Sequence, residues 1–186
     1  MSIQPLQQCQ VVARGVLEQI QADQMSASTP CASWDVSGLV NHMVGAQHFF
    51  GSAVAGEAPS SDDARDFSAG DYLAAFDQGC AAAAEAFGAE GVLEQMVAMP
   101  FGEMPGQAVM GLAMTDTFQH AWDLAKATGQ STDLAPEMAQ ALLQGAKSSI
   151  SDGFRGPEGA PFGAEQSCSD GACAADQLAA FLGREV

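Results

Sequence analysis

The chain has 186 residues, of which 47% are hydrophobic and 16% charged, proportions typical of a single globular domain with a sizeable core. Acidic residues number 23 and basic residues 6, giving a formal charge of -17, which argues against nucleic acid and anionic membranes as partners, because Lys and Arg bind both. No stretch reaches the roughly 20 apolar residues of a transmembrane helix, and five scattered cysteines favour a reducing cytoplasm over a disulfide-bonded secreted protein.

Apolar residues that recur at helical spacing predict an all-α fold, an up-and-down bundle of four or five main helices in one domain over residues 1–186. Asp35 is the N-cap candidate of the second helix. A polar connection at 56–70 and a Gly/Pro-rich loop at 151–172 separate helices, and so long a loop is usually functional or mobile. Residues 91–106 are interpreted as short extended pieces around two prolines. The main helices are expected at residues 3–22, 36–55, 71–88, 107–128 and 133–150, with a short last helix at 175–183.

The fourth long helix carries a polar pair within an otherwise apolar stretch. Asp116 and His120 are four residues apart and therefore lie one above the other on the apolar face. His42 shares the apolar face of the second helix, so it also points into the bundle. His48 lies six residues further on, about 240° around the helix, and is therefore a poor candidate for the same site.

Spacing alone leaves two interpretations of these residues open, since polar groups on a buried face are costly unless something satisfies them. His42, Asp116 and His120 would supply three ligands and leave one position open, the pattern of a catalytic metal site that commonly holds zinc. Alternatively, Asp116 and His120 form a buried hydrogen bond and His42 is satisfied separately. The spacing Asp-x-x-x-His occurs often by chance and does not decide between them.

Other residues of the long helices have simpler interpretations. Asp123 follows on the same side of the fourth helix and is interpreted as a solvated helix residue, with an acceptor for a metal-binding histidine as the alternative. Trp34 and Trp122 are interpreted as packing residues rather than substrate platforms. A second face of the fourth helix is available for contact in a homodimer. That face consists of Met110, Met114, Phe118 and Trp122.

The long loop holds two cysteines and a cation. Cys168 and Cys173 are interpreted as ordinary thiols, although their spacing allows a disulfide. Because the chain has only 6 basic side chains, strong recognition of an anionic substrate is expected to be limited. Arg155 is the exception and the candidate contact for an anionic group.

Two segments carry a resemblance to a known family. The stretches "TPCASWDVSGLVNHMVGAQHFF" at 29–50 and "LAMTDTFQHAWDLAKATGQ" at 112–130 resemble helix signatures of the DinB-like metal-binding superfamily, in its mycothiol-dependent maleylpyruvate isomerase N-terminal branch. The tail at 175–186 resembles the ending of short, single-domain actinobacterial members. The resemblance implies a DinB-like four-helix bundle with additional short helices and a bound divalent metal, most readily Zn²⁺. The matching ligand positions are His42, Asp116 and His120.

The resemblance also implies a metal-dependent thiol enzyme. Such an enzyme would activate a low-molecular-weight thiol such as mycothiol for S-transfer to a small electrophile, and no further catalytic side chain is identified. The isomerase has an additional C-terminal domain and is expected to carry Glu at the position of Asp116, so thiol transfer is favoured over isomerisation. The alternative is a stress-linked protein that binds metal, or a metal-held ligand, without turnover; a vestigial site is the third interpretation.

Overall fold

The computed structural model describes residues 2–57, 65–156 and 162–186. Over these ranges the chain is mostly helical, with six α-helices and one two-stranded sheet, which confirms the predicted helical class. The helices are α1 (Gln4–Leu17), α2 (Val36–Ala55), α3 (Tyr72–Gly88), α4 (Gly106–Ala127), α5 (Pro136–Ser149) and α6 (Ala174–Phe181), and the strands are β1 (Met96–Met99) and β2 (Gly102–Pro105).

The largest differences from the predicted elements lie between helices. The first helix ends at Leu17, five residues before its expected end, and a short 3₁₀ turn follows at Ala22–Gln24. The extended pieces expected within 91–106 form the antiparallel hairpin of β1 and β2. Of the two expected long connections, residues 58–64 and 157–161 lie outside the described residues.

Local capping fixes where α2 begins and ends. The Asp35 side chain accepts a hydrogen bond from the Gly38 backbone N–H at 2.8 Å, so Asp35 is the N-cap that the sequence predicted. The helix ends at Gly56, whose φ of 73° is accessible to glycine without strain. These ends place His42 in the second turn of a helix of 20 residues.

Helix α2 packs beside α4, and this contact brings the candidate site together. Helix α2 also packs against α3, while α1 contacts both α3 and α4. The apolar side chains between these helices form the central core, and α5 and α6 pack together against the outer side of α4. Among the described residues, no helix is long and apolar enough to cross a membrane.

The face of α4 that was expected to be free for a homodimer is covered by the same chain. Phe118 and Trp122 are fully buried in a cluster with side chains of α5 and α6. Trp122 Nε1 also donates a hydrogen bond to Asp176 Oδ1 of α6 at 2.8 Å. Phe118 and Trp122 are therefore not available for a dimer contact, because apolar spacing within α4 shows that a face is buried but not which element buries it.

Candidate metal centre

Three side chains from two helices meet at the contact between α2 and α4. His42 Nε2 lies 3.2 Å from Asp116 Oδ1, and His120 Nε2 lies 3.5 Å from the same oxygen. One donor atom from each residue lies within 4.8 Å of the other two. The His42 and His120 rings are edge to face, with centroids 4.7 Å apart. The structure thus brings together the three residues that the sequence singled out.

These distances fit a small tetrahedral cation. Two ligands that each lie about 2.1 Å from zinc at the tetrahedral angle are about 3.4 Å apart, close to the two nitrogen–oxygen distances at Asp116. The second oxygen, Asp116 Oδ2, is buried and has no hydrogen-bond partner among the residues that the structure describes. Hydrogen bonds within the trio leave this oxygen unsatisfied, whereas a cation between the residues can satisfy it. The donor set of two imidazole nitrogens and one carboxylate also suits zinc.

Asp116 is held in its anionic form. Burial by itself would raise the pKa of this carboxyl, but the neighbouring His120 and the hydrogen bond with His42 outweigh burial, so the pKa lies below its ordinary value. An anionic carboxylate is the form that binds a divalent cation.

The structure corrects the interpretation of Asp123 as a solvated helix residue. Its side chain is fully buried, and Oδ2 accepts a hydrogen bond from His120 Nδ1 at 3.0 Å. Arg184 donates to both carboxylate oxygens, at 2.9 and 3.1 Å. Burial would raise the pKa of Asp123, but the hydrogen bonds from His120 and Arg184 outweigh it and the pKa is lowered. The carboxylate therefore accepts the Nδ1 proton and leaves His120 Nε2 free to act as a ligand.

Trp34 packs directly on the site. Its ring stacks on the His42 imidazole with centroids 4.4 Å apart and an interplanar angle of 20°, and its edge meets His120 at 5.7 Å. Gly38 favours this close approach, because a Cβ there would lie 3.0 Å from Trp34 Cδ1 and the indole ring would have to shift by a few tenths of an ångström. Trp34 therefore restricts the orientation of His42 through packing, in keeping with its sequence interpretation.

Two residues that sequence reasoning missed lie beside the trio. Cys31, His120 and Asp123 form a second group whose donor atoms lie within 4.8 Å of one another. Burial raises the pKa of the Cys31 thiol, and the positive charge of Arg184 only partly opposes this effect. Cys31 lies in the "TPCASWD" stretch, where it has no neighbouring Cys or His at metal-binding spacing. The sequence therefore carries no signal that it lies beside the trio. Arg184 is 61 residues from Asp123, so no local pattern connects them.

The remaining candidates lie elsewhere. His48 belongs to neither group and stacks on Phe67, with centroids 6.3 Å apart, so it faces away from the trio as helical geometry predicted. Arg155 Nη1 donates to the backbone oxygens of Gly163 and Phe181. Arg155 therefore links the loop to α6 through hydrogen bonds. This geometry gives no support to its expected role in binding an anionic substrate.

The two loop cysteines are free thiols, and they differ in their surroundings. Cys168 is exposed, whereas Cys173 is the N-cap of α6, where its sulfur accepts a hydrogen bond from the Asp176 backbone N–H at 3.4 Å. The disulfide that their spacing would allow is therefore not formed.

Comparison with known proteins relates the chain to one family. The sequence profile described as "Mycothiol maleylpyruvate isomerase N-terminal domain" matches residues 6–125. Two uncharacterized proteins of Mycobacterium tuberculosis, from strains CDC 1551 / Oshkosh and ATCC 25618 / H37Rv, are each 44% identical over 182 residues, which cover 97% of this chain and 96% of the relative. No solved structure matches the chain. The trio lies within the matched residues, and Arg184 lies beyond them.

Proposed function

This chain belongs to the mycothiol maleylpyruvate isomerase N-terminal domain family. We propose that it is a metal-dependent thiol enzyme. His42, Asp116 and His120 bind one divalent cation, most readily Zn²⁺, inside a DinB-type four-helix bundle formed by α1 to α4. The reaction is S-transfer from a low-molecular-weight thiol, with mycothiol as the thiol the family suggests, to a small electrophile. We place this reaction in the reducing cytoplasm.

The observation that carries the proposal is the unsatisfied oxygen of Asp116. Within the described part of the chain, Oδ2 is buried without a hydrogen-bond partner, while Oδ1 faces one nitrogen of each histidine at 3.2 and 3.5 Å. A buried, unpaired carboxylate oxygen costs free energy, and coordination of a cation removes that cost. The same three side chains satisfy the expected ligand number of a catalytic zinc site with one open position.

Each residue of the proposed site has its own role. The cation, when bound, supplies Lewis acidity that brings the pKa of a thiol at its open position toward neutrality, from about 8.5 in free solution. His42 and Asp116 are 27% and 24% exposed, whereas His120 is 9% exposed, so a small thiol approaches from the side of the first two residues. Asp123 fixes the His120 tautomer and Trp34 fixes the His42 ring.

The bond changes are those of a simple substitution. The thiol gives up its proton to the surrounding water, its sulfur forms a bond to the electrophilic carbon, and the leaving group departs with the electron pair of the broken bond. The described site supplies no nucleophilic side chain for this step, because the neighbouring Cys31 thiol has a raised pKa. The protein therefore orients and desolvates the small-molecule thiol rather than attacking the electrophile itself.

Thiol consumption with a model electrophile tests the proposal. Protein loaded with Zn²⁺ should consume a low-molecular-weight thiol faster than protein treated with a chelator, and added Zn²⁺ should restore the rate. Bound cation without any acceleration over buffer would contradict the enzyme proposal and leave the non-catalytic metal-binding protein as the function.

A further inference from the structure

Two groups of potential ligands overlap at His120. One group contains His42 and Asp116, and the other contains Cys31 and Asp123. The groups use opposite edges of the imidazole, because Asp116 lies 3.5 Å from Nε2 and Asp123 lies 3.0 Å from Nδ1. A cation in the second group would need Nδ1 without its proton, so His120 cannot serve both groups in one tautomer.

Arg184 lies against one of these groups only. Its Nε donates to Asp123 Oδ1 at 2.9 Å and its Nη2 to Asp123 Oδ2 at 3.1 Å, a two-pronged contact that fills both oxygens. Gln119 adds a contact to Oδ1 at 3.3 Å. A cation in the Cys31 group would therefore have to displace a guanidinium from Asp123 and sit beside its positive charge.

The backbone fixes Arg184 in this place. The Arg184 backbone N–H donates to Ala179 O at 2.9 Å, so the residue is tied to α6 immediately after the helix ends. Gly183 makes the turn with a φ of 96°, and a Cβ on this residue would lie 2.7 Å from the Gly163 Cα. The guanidinium thus reaches Asp123 from a backbone held by α6 and by the preceding loop.

We propose that Arg184 is a positioning residue that assigns His120 to the His42–Asp116 group and keeps a cation out of the overlapping Cys31–Asp123 group. This inference rests on the proposed metal site and adds a selection between two sets of ligands. Arg184 fills the oxygens of Asp123, Asp123 retains the Nδ1 proton of His120, and the Nε2 lone pair faces Asp116. Residues after α6 therefore determine which ligands bind the metal, although they contribute no ligand themselves.

Co²⁺ is the probe that distinguishes the two groups, because a thiolate ligand adds a strong charge-transfer band in the near ultraviolet. Without added thiol, the wild-type protein with Co²⁺ should lack this band. Arg184→Gln should gain it, and Arg184→Gln with Cys31→Ser should lose it again. Arg155→Gln is the matched control, since Arg155 ties the same region to α6 through backbone oxygens and does not contact Asp123; its spectrum should equal that of the wild type.

Two further readouts keep the test decisive. Cys31→Ser in the wild-type background should leave the Co²⁺ dissociation constant within about twofold, and a larger loss would overturn the proposal by making Cys31 a ligand despite Arg184. Nitrogen-15 shifts of the metal-free wild-type protein should place the His120 proton on Nδ1, which faces the Asp123 carboxylate at 3.0 Å. Identical cobalt spectra in the wild type and Arg184→Gln, or a wild-type His120 proton on Nε2, would overturn the assignment.

The outcome also separates this inference from the proposed function. If the wild type binds no divalent cation, the metal proposal fails, and the cobalt spectrum of Arg184→Gln still tests the role of Arg184. A thiolate band in that variant that disappears with Cys31→Ser would support the exclusion of a cation by Arg184, and the lack of a band would refute it. If the wild type binds Co²⁺ and the spectrum of Arg184→Gln is unchanged, the metal site stands and the positioning role is refuted.

Discussion

His120→Ala is expected to abolish divalent-cation retention and thiol transfer together. The substitution removes one of the three proposed ligands. It also removes the imidazole ring that contacts Asp116 through Nε2 and Asp123 through Nδ1. Two remaining ligands hold a divalent ion poorly, and without the ion a free thiol stays mostly protonated at neutral pH, since its pKa is about 8.5. Metal analysis after dialysis and a thiol-transfer assay on the same sample would measure both losses.

His48→Ala is the matched control for His120→Ala. His48 is on α2 and is partly buried against Phe67, but it belongs to neither ligand group. Its removal should leave the metal content and the transfer rate at the wild-type level. A folded His120→Ala protein that has lost its metal but transfers thiol at an unchanged rate would show that the cation is structural or incidental.

Asp123→Asn should lower the free energy of unfolding by about 3 kcal/mol, because removing one member of a buried ion pair leaves the other charge without compensation. Asp123 is fully buried and Arg184 is 18% exposed, so water can compensate only part of the loss. Urea denaturation of chelator-treated protein would measure this difference without a contribution from bound metal.

Asp77→Asn provides a matched comparison within the same chain. Asp77 also accepts two contacts from one arginine, Arg14 Nε to its two oxygens at 3.0 and 3.2 Å, but its side chain is 55% exposed. Loss of this surface pair should cost less than about 1 kcal/mol. Equal effects of Asp123→Asn and Asp77→Asn would mean that the Asp123–Arg184 pair adds nothing through its burial.

The trio could be predicted from the sequence because it depends on local regularity. The spacing of Asp116 and His120 and the apolar neighbours of His42 identify helical faces that point into a core. The same helical geometry predicted that His48 faces away from the trio. Periodicity therefore predicted a core-facing position for each of the three residues. The expectation that they share one site came from the resemblance to the DinB-like family.

The surroundings of the trio could not be predicted in this way. Asp123 has the spacing of an ordinary helix residue, although it is fully buried and its carboxylate contacts Arg184, which is 61 residues away. Phe118 was expected to be available to another molecule for the same reason, although α5 and α6 cover it. Long-range contacts between a helix and the end of the chain leave no periodic signal in either segment.

The most direct test of the central claim compares how much divalent metal the wild-type protein and Asp116→Ala retain. Asp116 is the residue that joins both histidines and carries the buried unpaired oxygen. After incubation with Zn²⁺ and removal of the excess, the wild type should retain about one divalent ion per chain, the stoichiometry of a mononuclear site, and Asp116→Ala should retain none. A wild-type protein that retains no ion, or an Asp116→Ala protein that retains the same amount, would contradict the assignment of this site.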